Sequence, residues 1–165
     1  MMRYPLHMRI LQIGMLLGYL LIPTTHASPE DHRIAIIVSA QENWNGTDMK
    51  VNRRQLARIY RKQITLDRHG HRLHPVNLSA THLLRRQLSG ALFKRTPLEM
   101  ANYWNERYFQ GVSPPHVVNS QEAMIRFVSS TPGAIGYVAP CMLDKRVKVL
   151  MTIKLKEKIS KQLCH

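Results

Sequence analysis

The chain has 165 residues, with 24 lysines and arginines against 10 aspartates and glutamates, which gives a formal net charge of +14 at pH 7. A chain of this length can bury a core of its own, which excludes a small scaffold that depends on disulfides. The charge favours polyanions, anionic membrane surfaces or small oxyanions as partners, and by itself it selects none of them.

A secretory signal peptide is predicted over residues 1–27. Arg3 precedes an apolar run over 10–22, and small residues ending at Ala27 follow that run. This order is typical of a leader that is cut after Ala27. Its removal lowers the net charge to +12 and leaves residues 28–165 as one domain, periplasmic or secreted. A retained membrane anchor is the alternative, although the run is short for a membrane span.

The chain contains two cysteines, Cys141 and Cys164. In an exported protein an even number of cysteines favours a disulfide, which would hold the C-terminal tail against the strand that precedes Cys141. The spacing is not the C-x-x-C of redox-active pairs, so a structural role is predicted.

The first half of the exported chain predicts α/β layering. Residues 33–39 form a continuous β-branched run without polar alternation, which indicates a central strand covered on both faces. Asn52 is suited to cap a helix. The buried face of that helix is predicted to contain Leu56, Ile59 and Tyr60. Residues 64–66 and 73–76 are predicted to flank a turn or hairpin.

Three more helices are predicted further along. The first has a leucine face, and the second begins at a capping box with proline in its first turn, Thr96-Pro97-Leu98-Glu99. Ser120 is suited to cap the third helix. The predicted inward faces are Leu83, Leu84, Leu88 and Leu92 in the first helix, Met100, Trp104 and Tyr108 in the second, and Met124, Phe127 and Val128 in the third. Residues 147–151 predict an edge strand, and 154–162 predict a basic helix or frayed tail.

The stretch 131–138, Thr-Pro-Gly-Ala-Ile-Gly-Tyr-Val, predicts a sharp turn followed by a short buried strand. Its glycines could cradle an anion through backbone N–H groups, or they could allow a tight turn and a close neighbour at Gly136. We favour the second interpretation, in which the stretch is a marker of the fold.

The best candidate for a ligand site is the strand-to-helix turn formed by Asn77, Leu78, Ser79, Ala80 and Thr81. Backbone N–H groups at a helix start, together with two hydroxyls, suit a bound anion. Nearby positive charge would come from His82, Arg85 and Arg86. The alternative is that Ser79 is only the helix cap and the arginines form a solvated face.

Other chemistry is weakly indicated. His69, His71 and His74 could bind a transition metal, but a solvated basic hairpin is the favoured interpretation, so no metal and no cofactor are expected. No catalytic motif appears, and the chain is predicted not to be an enzyme. The arginines of the first predicted helix lack interleaved aromatic residues, so no nucleic-acid partner is expected.

Several segments resemble the phosphate-binding proteins of ABC transporters, which belong to the type II periplasmic-binding family. The matching segments are residues 56–64, Pro75-Val76-Asn77, Tyr103-Trp104, Phe109-Gln110-Gly111 and the stretch 131–138. The resemblance covers about Val51 to Val138 and is greatest for the short single-domain branch. It implies an α/β fold, a single lobe with a small mixed sheet flanked by helices.

In that family phosphate lies between two lobes, held by backbone N–H groups, hydroxyls and an arginine. The second lobe contributes a helix-start turn, Arg-Ser-Asp-x-Ser-Gly-Thr, which corresponds here to residues 77–81. This chain keeps Ser79 and Thr81 and has Asn77 where the arginine is expected. Most of the first lobe has no counterpart in the chain.

The resemblance implies recognition of an oxyanion, most of all phosphate, and a link to an ABC transporter. The predicted ligand residues are Ser39, Asn77, Ser79, Ala80, Thr81 and Arg85, with Ser39 and Arg85 as supporting donors. The sequence does not decide whether two copies of the chain pair as a homodimer to rebuild a cleft. The alternative function is an envelope interaction protein whose basic surface binds a partner protein or an anionic polymer.

Overall fold

The computed structural model describes residues 32–42, 51–155 and 161–164. The predicted signal peptide, 1–27, and its alternative as an anchor therefore lie outside the described residues. In the ranges that are described, no helix has both the length and the apolar character needed to cross a membrane.

Strands and helices follow each other in the described part of the chain as the sequence predicts, apart from one short strand at His116–Val118 that the sequence does not predict. Their bounds are β1 Arg33–Ser39, α1 Arg53–Tyr60, β2 His74–Leu78, α2 Leu83–Phe93, α3 Glu99–Phe109, β3 His116–Val118, α4 Gln121–Ser130, β4 Ala134–Val138 and β5 Val147–Lys154. Short 3-10 helices cover Pro140–Met142 and Lys161–Cys164.

The strands form one mixed sheet in the order β3-β2-β4-β1-β5. β2 runs parallel to both of its neighbours, and β1 runs antiparallel to β4 and to β5. Every residue of β1 after Arg33 is buried, and so is all of β4. The predicted central strand, the edge position of β5 and the small mixed sheet flanked by helices are thus confirmed.

The two faces of the sheet are covered by different helices, and β4 shows how. A Cβ atom on Gly136 would lie 2.6 Å from Sδ of Met124 and 2.7 Å from Cγ2 of Val128, so α4 packs directly on this glycine. The next residue, Tyr137, faces the opposite side because side chains alternate along a strand. Its ring lies 6.1 Å from that of Tyr60 on α1.

The predicted helix caps are present. Asn52 and Gln55 form a capping box at the start of α1, and the Ser120 hydroxyl accepts the Ala123 N–H at 3.1 Å. Thr96 and Glu99 exchange hydrogen bonds at the start of α3, at 2.6 and 3.2 Å. Each cap satisfies N–H groups that a helix start leaves without partners.

Three local predictions were wrong. The helix after β2 begins at Leu83, and its capping side chain is His82 rather than Ser79, because residues 79–82 form a separate turn. Lys154 belongs to β5, since it pairs with Arg33 of β1, and residues 156–160 of the predicted basic helix lie outside the described residues. Tyr108 is 66% exposed, so the predicted inward face of α3 is buried only near Met100.

The turn before β4 requires a glycine. Gly133 has a φ of +72°, and a Cβ atom there would lie 2.0 Å from the carbonyl oxygen of Arg72. The carbonyl of Gly133 accepts the His74 N–H at 2.8 Å, which joins the turn to the start of β2. The Gly133 N–H donates to the Glu42 carboxylate. These contacts support the interpretation of the stretch 131–138 as a marker of the fold.

The structure joins Cys141 to Cys164 by a disulfide, with the two Cα atoms 5.6 Å apart. Near this bond, the Gln121 amide donates to the Leu163 carbonyl at 2.6 Å and accepts the Ala139 N–H at 2.7 Å. The short C-terminal 3-10 helix is therefore attached to α4 and to the end of β4.

A pair of glycine variants separates backbone strain from steric clash. Gly70 has a φ of +84° with open space around its Cβ position, whereas Gly133 faces the Arg72 carbonyl. Gly70→Ala should lower the free energy of unfolding by about 1–2 kcal/mol through strain alone. Gly133→Ala should cost clearly more, about 3 kcal/mol or above, because the backbone must also shift. Urea denaturation measures both, and equal costs would contradict the clash.

The disulfide gives a second prediction. Protein isolated from an oxidising compartment should show no reactive thiol when it is denatured without reductant, and two when it is denatured with reductant. Replacing both cysteines by serine should lower the free energy of unfolding by about 3 kcal/mol, as expected for a closed loop of this size. Two reactive thiols without reductant would refute the bond.

Candidate functional site

The candidate site lies at the C-terminal end of β2, next to the end of β4. Asn77 is 2% exposed, and the parallel register of β2 and β4 places it beside Tyr137 on the same face of the sheet. This face is covered by α1 and α2, and the chain leaves the sheet here through the turn 79–82. In open α/β sheets, ligands bind outside the carboxyl ends of the strands.

A buried arginine is the central group of the site. Arg85 extends from the first turn of α2, is 8% exposed, and donates through Nη1 to Oδ1 of Asn77. Its charge also acts on the Tyr137 hydroxyl, whose pKa it lowers against the effect of burial. The Arg85 guanidinium thus reaches Asn77, at the end of β2, from the neighbouring helix.

None of the described carboxylates forms an ion pair with Arg85. The two polar side chains that interact with it, the Asn77 amide and the Tyr137 phenol, are both neutral. Leaving a buried charge without a counter-charge is costly. The site therefore has an excess of positive charge that an anion could balance, and a planar fork of N–H donors that matches an oxyanion.

Two buried tyrosines, Tyr60 and Tyr137, also belong to this site. The Tyr137 hydroxyl accepts the Leu78 N–H at 3.0 Å, and the Tyr60 hydroxyl donates to the carbonyls of Val76 and Ile135 at 3.1 and 3.2 Å. Burial raises the pKa of Tyr137 to about 12, against the opposing effect of Arg85. Burial also raises the pKa of Tyr60 well above its ordinary value. Both phenols are therefore neutral, and neither acts as the counter-ion of Arg85.

The turn 79–82 brings two hydroxyls together at the surface. Oγ of Ser79 and Oγ1 of Thr81 are 3.1 Å apart, Ala80 between them is exposed, and the His82 N–H donates to the Ser79 carbonyl at 3.0 Å. Nδ1 of His82 accepts the Leu84 N–H at 3.2 Å. Burial lowers the pKa of His82, which favours the neutral imidazole that this cap requires.

Ser39 is not brought to this site. It ends β1, and because β1 runs antiparallel to β4, that end lies beside Ala134, whereas Asn77 lies beside Tyr137 further along. The Ser39 hydroxyl donates to the Ser129 carbonyl of α4 at 3.3 Å, on the other face of the sheet. Of the predicted ligand residues, the structure thus groups Asn77, Ser79, Ala80, Thr81 and Arg85, and separates Ser39 from them.

The histidine-rich turn before β2 has another local role. Asp67 accepts the backbone N–H groups of His69 and His71, both at 2.8 Å, and its other oxygen lies 3.0 Å from Nδ1 of His71. These hydrogen bonds lower the pKa of Asp67 against the effect of burial. Within the described ranges, no three His, Cys, Asp or Glu side chains come close enough to hold a metal ion.

The sequence pattern does not mark the two tyrosines as site residues. It places Tyr60 on a helix face and Tyr137 in a core strand, and the contact between them joins positions far apart in the chain. The available signal was the pair of phenol groups at buried positions, because a buried hydroxyl requires a hydrogen-bond partner.

Sequence comparisons identify no relative: no protein-family model matches the chain, and no curated protein matches it. The fold is nevertheless shared with solved structures of phosphate substrate-binding proteins. One is a candidate phosphate ABC transporter substrate-binding protein from Clostridium perfringens with bound phosphate, at 15% identity and a TM-score of 0.56, covering 72% of this chain and 44% of that one.

Two further solved structures share this fold. An ABC-type phosphate transport receptor from Vibrio cholerae is 18% identical, with a TM-score of 0.52, covering 75% of this chain and 55% of that one. PstS from Borrelia burgdorferi is 15% identical, with a TM-score of 0.52, covering 79% of this chain and 51% of that one. The resemblance is confirmed at the level of the fold, and the chain spans about half the length of these proteins.

The buried phenols predict a loss of stability at alkaline pH. The folded protein keeps Tyr137 neutral to about pH 12, whereas the unfolded chain ionises its tyrosines near pH 10. Stability should therefore fall as the pH rises from 10 to 12, by about 2 kcal/mol for Tyr137 alone.

Urea titrations at a series of pH values measure this loss. Tyr137→Phe should lower stability at pH 7 by about 1–3 kcal/mol, because the Leu78 N–H loses its acceptor. The same variant should show a shallower decline between pH 10 and 12. Equal pH slopes in the two proteins would contradict the role assigned to Tyr137.

Proposed function

We propose that this chain is a solute-binding lobe that recognises a tetrahedral oxyanion, phosphate in the first instance, at the C-terminal end of β2. It acts by binding rather than by catalysis. The observation that carries the proposal is Arg85, a buried guanidinium held by the neutral side chains of Asn77 and Tyr137 with no carboxylate partner among the described residues.

The rest of the site supplies hydrogen-bond donors. The hydroxyls of Ser79 and Thr81 lie 3.1 Å apart and hydrogen-bond each other, so one of them donates within the pair and the other is left to donate to an oxygen of the anion. The start of α2 follows directly, and its N–H groups and dipole add positive potential. The charge of Arg85 attracts the anion, and the turn contributes directional hydrogen bonds.

The shared fold is the second support. Similar structures are described as phosphate transport receptors and substrate-binding proteins, one with bound phosphate. By analogy with them, we expect this chain to be exported, in line with its predicted leader. We also expect its partner to be an ABC transporter. The chain spans about half the length of those proteins.

The sharpest test replaces Asn77 by aspartate. The side chain keeps its shape, but the new carboxylate gives Arg85 an internal counter-ion. Asn77→Asp should therefore raise the free energy of unfolding by about 1–3 kcal/mol and weaken phosphate binding at least about tenfold. Calorimetric titration with phosphate and sulfate measures the affinity, and urea denaturation measures the stability.

Hydroxyl variants test the turn separately. Ser79→Ala and Thr81→Ala should each weaken phosphate binding by about tenfold or more, the effect of one lost hydrogen bond to a charged group. Ser113→Ala, at an exposed serine far from the site in sequence, is the matched control and should leave the affinity unchanged. Lack of saturable binding up to millimolar phosphate and sulfate would reject the oxyanion function.

A further inference from the structure

A second basic feature lies on the solvent side of α2, away from Arg85. A groove of about 890 Å³ runs between α2, the start of α1, the start of α3 and the end of β5. Five of its lining residues are basic and exposed: Arg53, Arg86, Lys94, Arg95 and Lys154. This volume is near the upper end of ordinary ligand pockets and far exceeds what a single phosphate fills. We call this feature the α2 groove.

The positive charge of the α2 groove is almost unopposed. Among the described residues that line it, Glu99 is the one acidic side chain. Glu99 accepts the Thr96 N–H at 2.6 Å in the capping box of α3, and hydrogen bonds from Thr96 hold its pKa below the usual range. The negative charge of Glu99 therefore serves mainly to stabilise the start of α3.

The cations are spread along a line rather than gathered at a point. Arg86 and Lys94 lie in the first turns and at the C-terminal end of α2, so they are about 12 Å apart along the helix axis. Arg53 is held between them, since its guanidinium donates to the Ala91 carbonyl. A ligand that meets all three must itself carry several separated negative charges.

Lys94 is placed in the groove at a cost in backbone strain. It ends α2 in the left-handed conformation, with φ 59° and ψ 27°, where glycine is the usual residue. Lys62 after α1 has the same kind of conformation, with a φ of 53°, but it does not line the groove. Strained backbone of this kind justifies a search for a role of the side chain.

The lining also contains an amide without hydrogen bonds. Neither Nε2 nor Oε1 of Gln87 has a partner among the described residues, although both atoms are buried. Gln87 lies one position from Arg86 on the groove side of α2. Unsatisfied amides are costly, and a rotation of this side chain towards the groove would let a ligand oxygen accept from Nε2.

From these observations we propose that the α2 groove binds a linear polyanion, a chain with repeated phosphate-like charges, across the line from Arg86 to Lys94. The groove is distinct from the site at Arg85, because Arg85 is buried towards the sheet and Arg86 is exposed on the other side of the helix. A long charged chain suits the row of cations, as a single anion could meet only one end of it.

The test uses the purified protein and inorganic polyphosphate of defined length, followed by calorimetry or fluorescence anisotropy. Polyphosphate should bind far more tightly than orthophosphate at the same total phosphate concentration. Affinity should fall about a hundredfold between 50 and 200 mM salt if all five cations are neutralised, because bound counterions are released.

A matched pair of variants tests whether polyphosphate binds in the α2 groove. Lys94→Gly and Lys62→Gly each remove one charge and one strained lysine, so both should raise Tm. Lys94→Gly alone should weaken polyphosphate binding, by about two- to fivefold, and should reduce the salt slope by about 0.7. Neither variant should change orthophosphate binding at the Asn77 site, which keeps the two proposals separable.

Three outcomes would overturn the polyanion site. Equal weakening by the two variants would show that only the total charge matters. Competition by orthophosphate at equal phosphate concentration would point to a single-anion site. Binding to phosphatidylglycerol vesicles without binding to polyphosphate would identify a membrane surface as the ligand instead.

Discussion

The packing of α4 against β4 at Gly136 is the contact on which the rest of the structure depends. No side chain separates the helix from the strand there, so α4 lies close enough to the sheet to contact all five strands. This close approach leaves the opposite face of β4 for α1 and α2, and alternation along the strand directs Tyr137 towards them. The layer that contains the candidate site therefore lies on the face of the sheet opposite to α4.

On that second layer, the structure places a positive charge among neutral groups. Arg85 is held by Asn77 and Tyr137, and Tyr60 supports the same region through backbone carbonyls. A structural arginine in a core is ordinarily paired with a carboxylate, since that pairing offsets the loss of hydration. The absence of such a partner among the described residues is what makes this network suitable for an external anion.

Helix α2 has basic side chains of two kinds, one buried on its inward side and others exposed on its outward side. Its inward side contributes Arg85, one buried and oriented guanidinium, which suits a small anion with a defined shape. Its outward side contributes Arg86 and Lys94 to an open groove, where exposed cations suit a longer ligand through additive and salt-sensitive contacts. The aligned part of this chain covers about half of each of the structures that share its fold.

The sequence by itself determined the layered α/β class, the positions of most strands and helices with β3 as an exception, the caps at Asn52 and Ser120, and the glycines of the turn before β4, because periodicity, capping and φ preference are local properties. The tertiary structure decided which residues meet. It joined Arg85 to Asn77 and Tyr137, and it removed Ser39 from the site because β1 enters the sheet antiparallel. It also moved the start of α2 to Leu83, since the turn 79–82 closes on its own hydrogen bond. Strand direction and burial depend on contacts between distant segments, which no local pattern encodes.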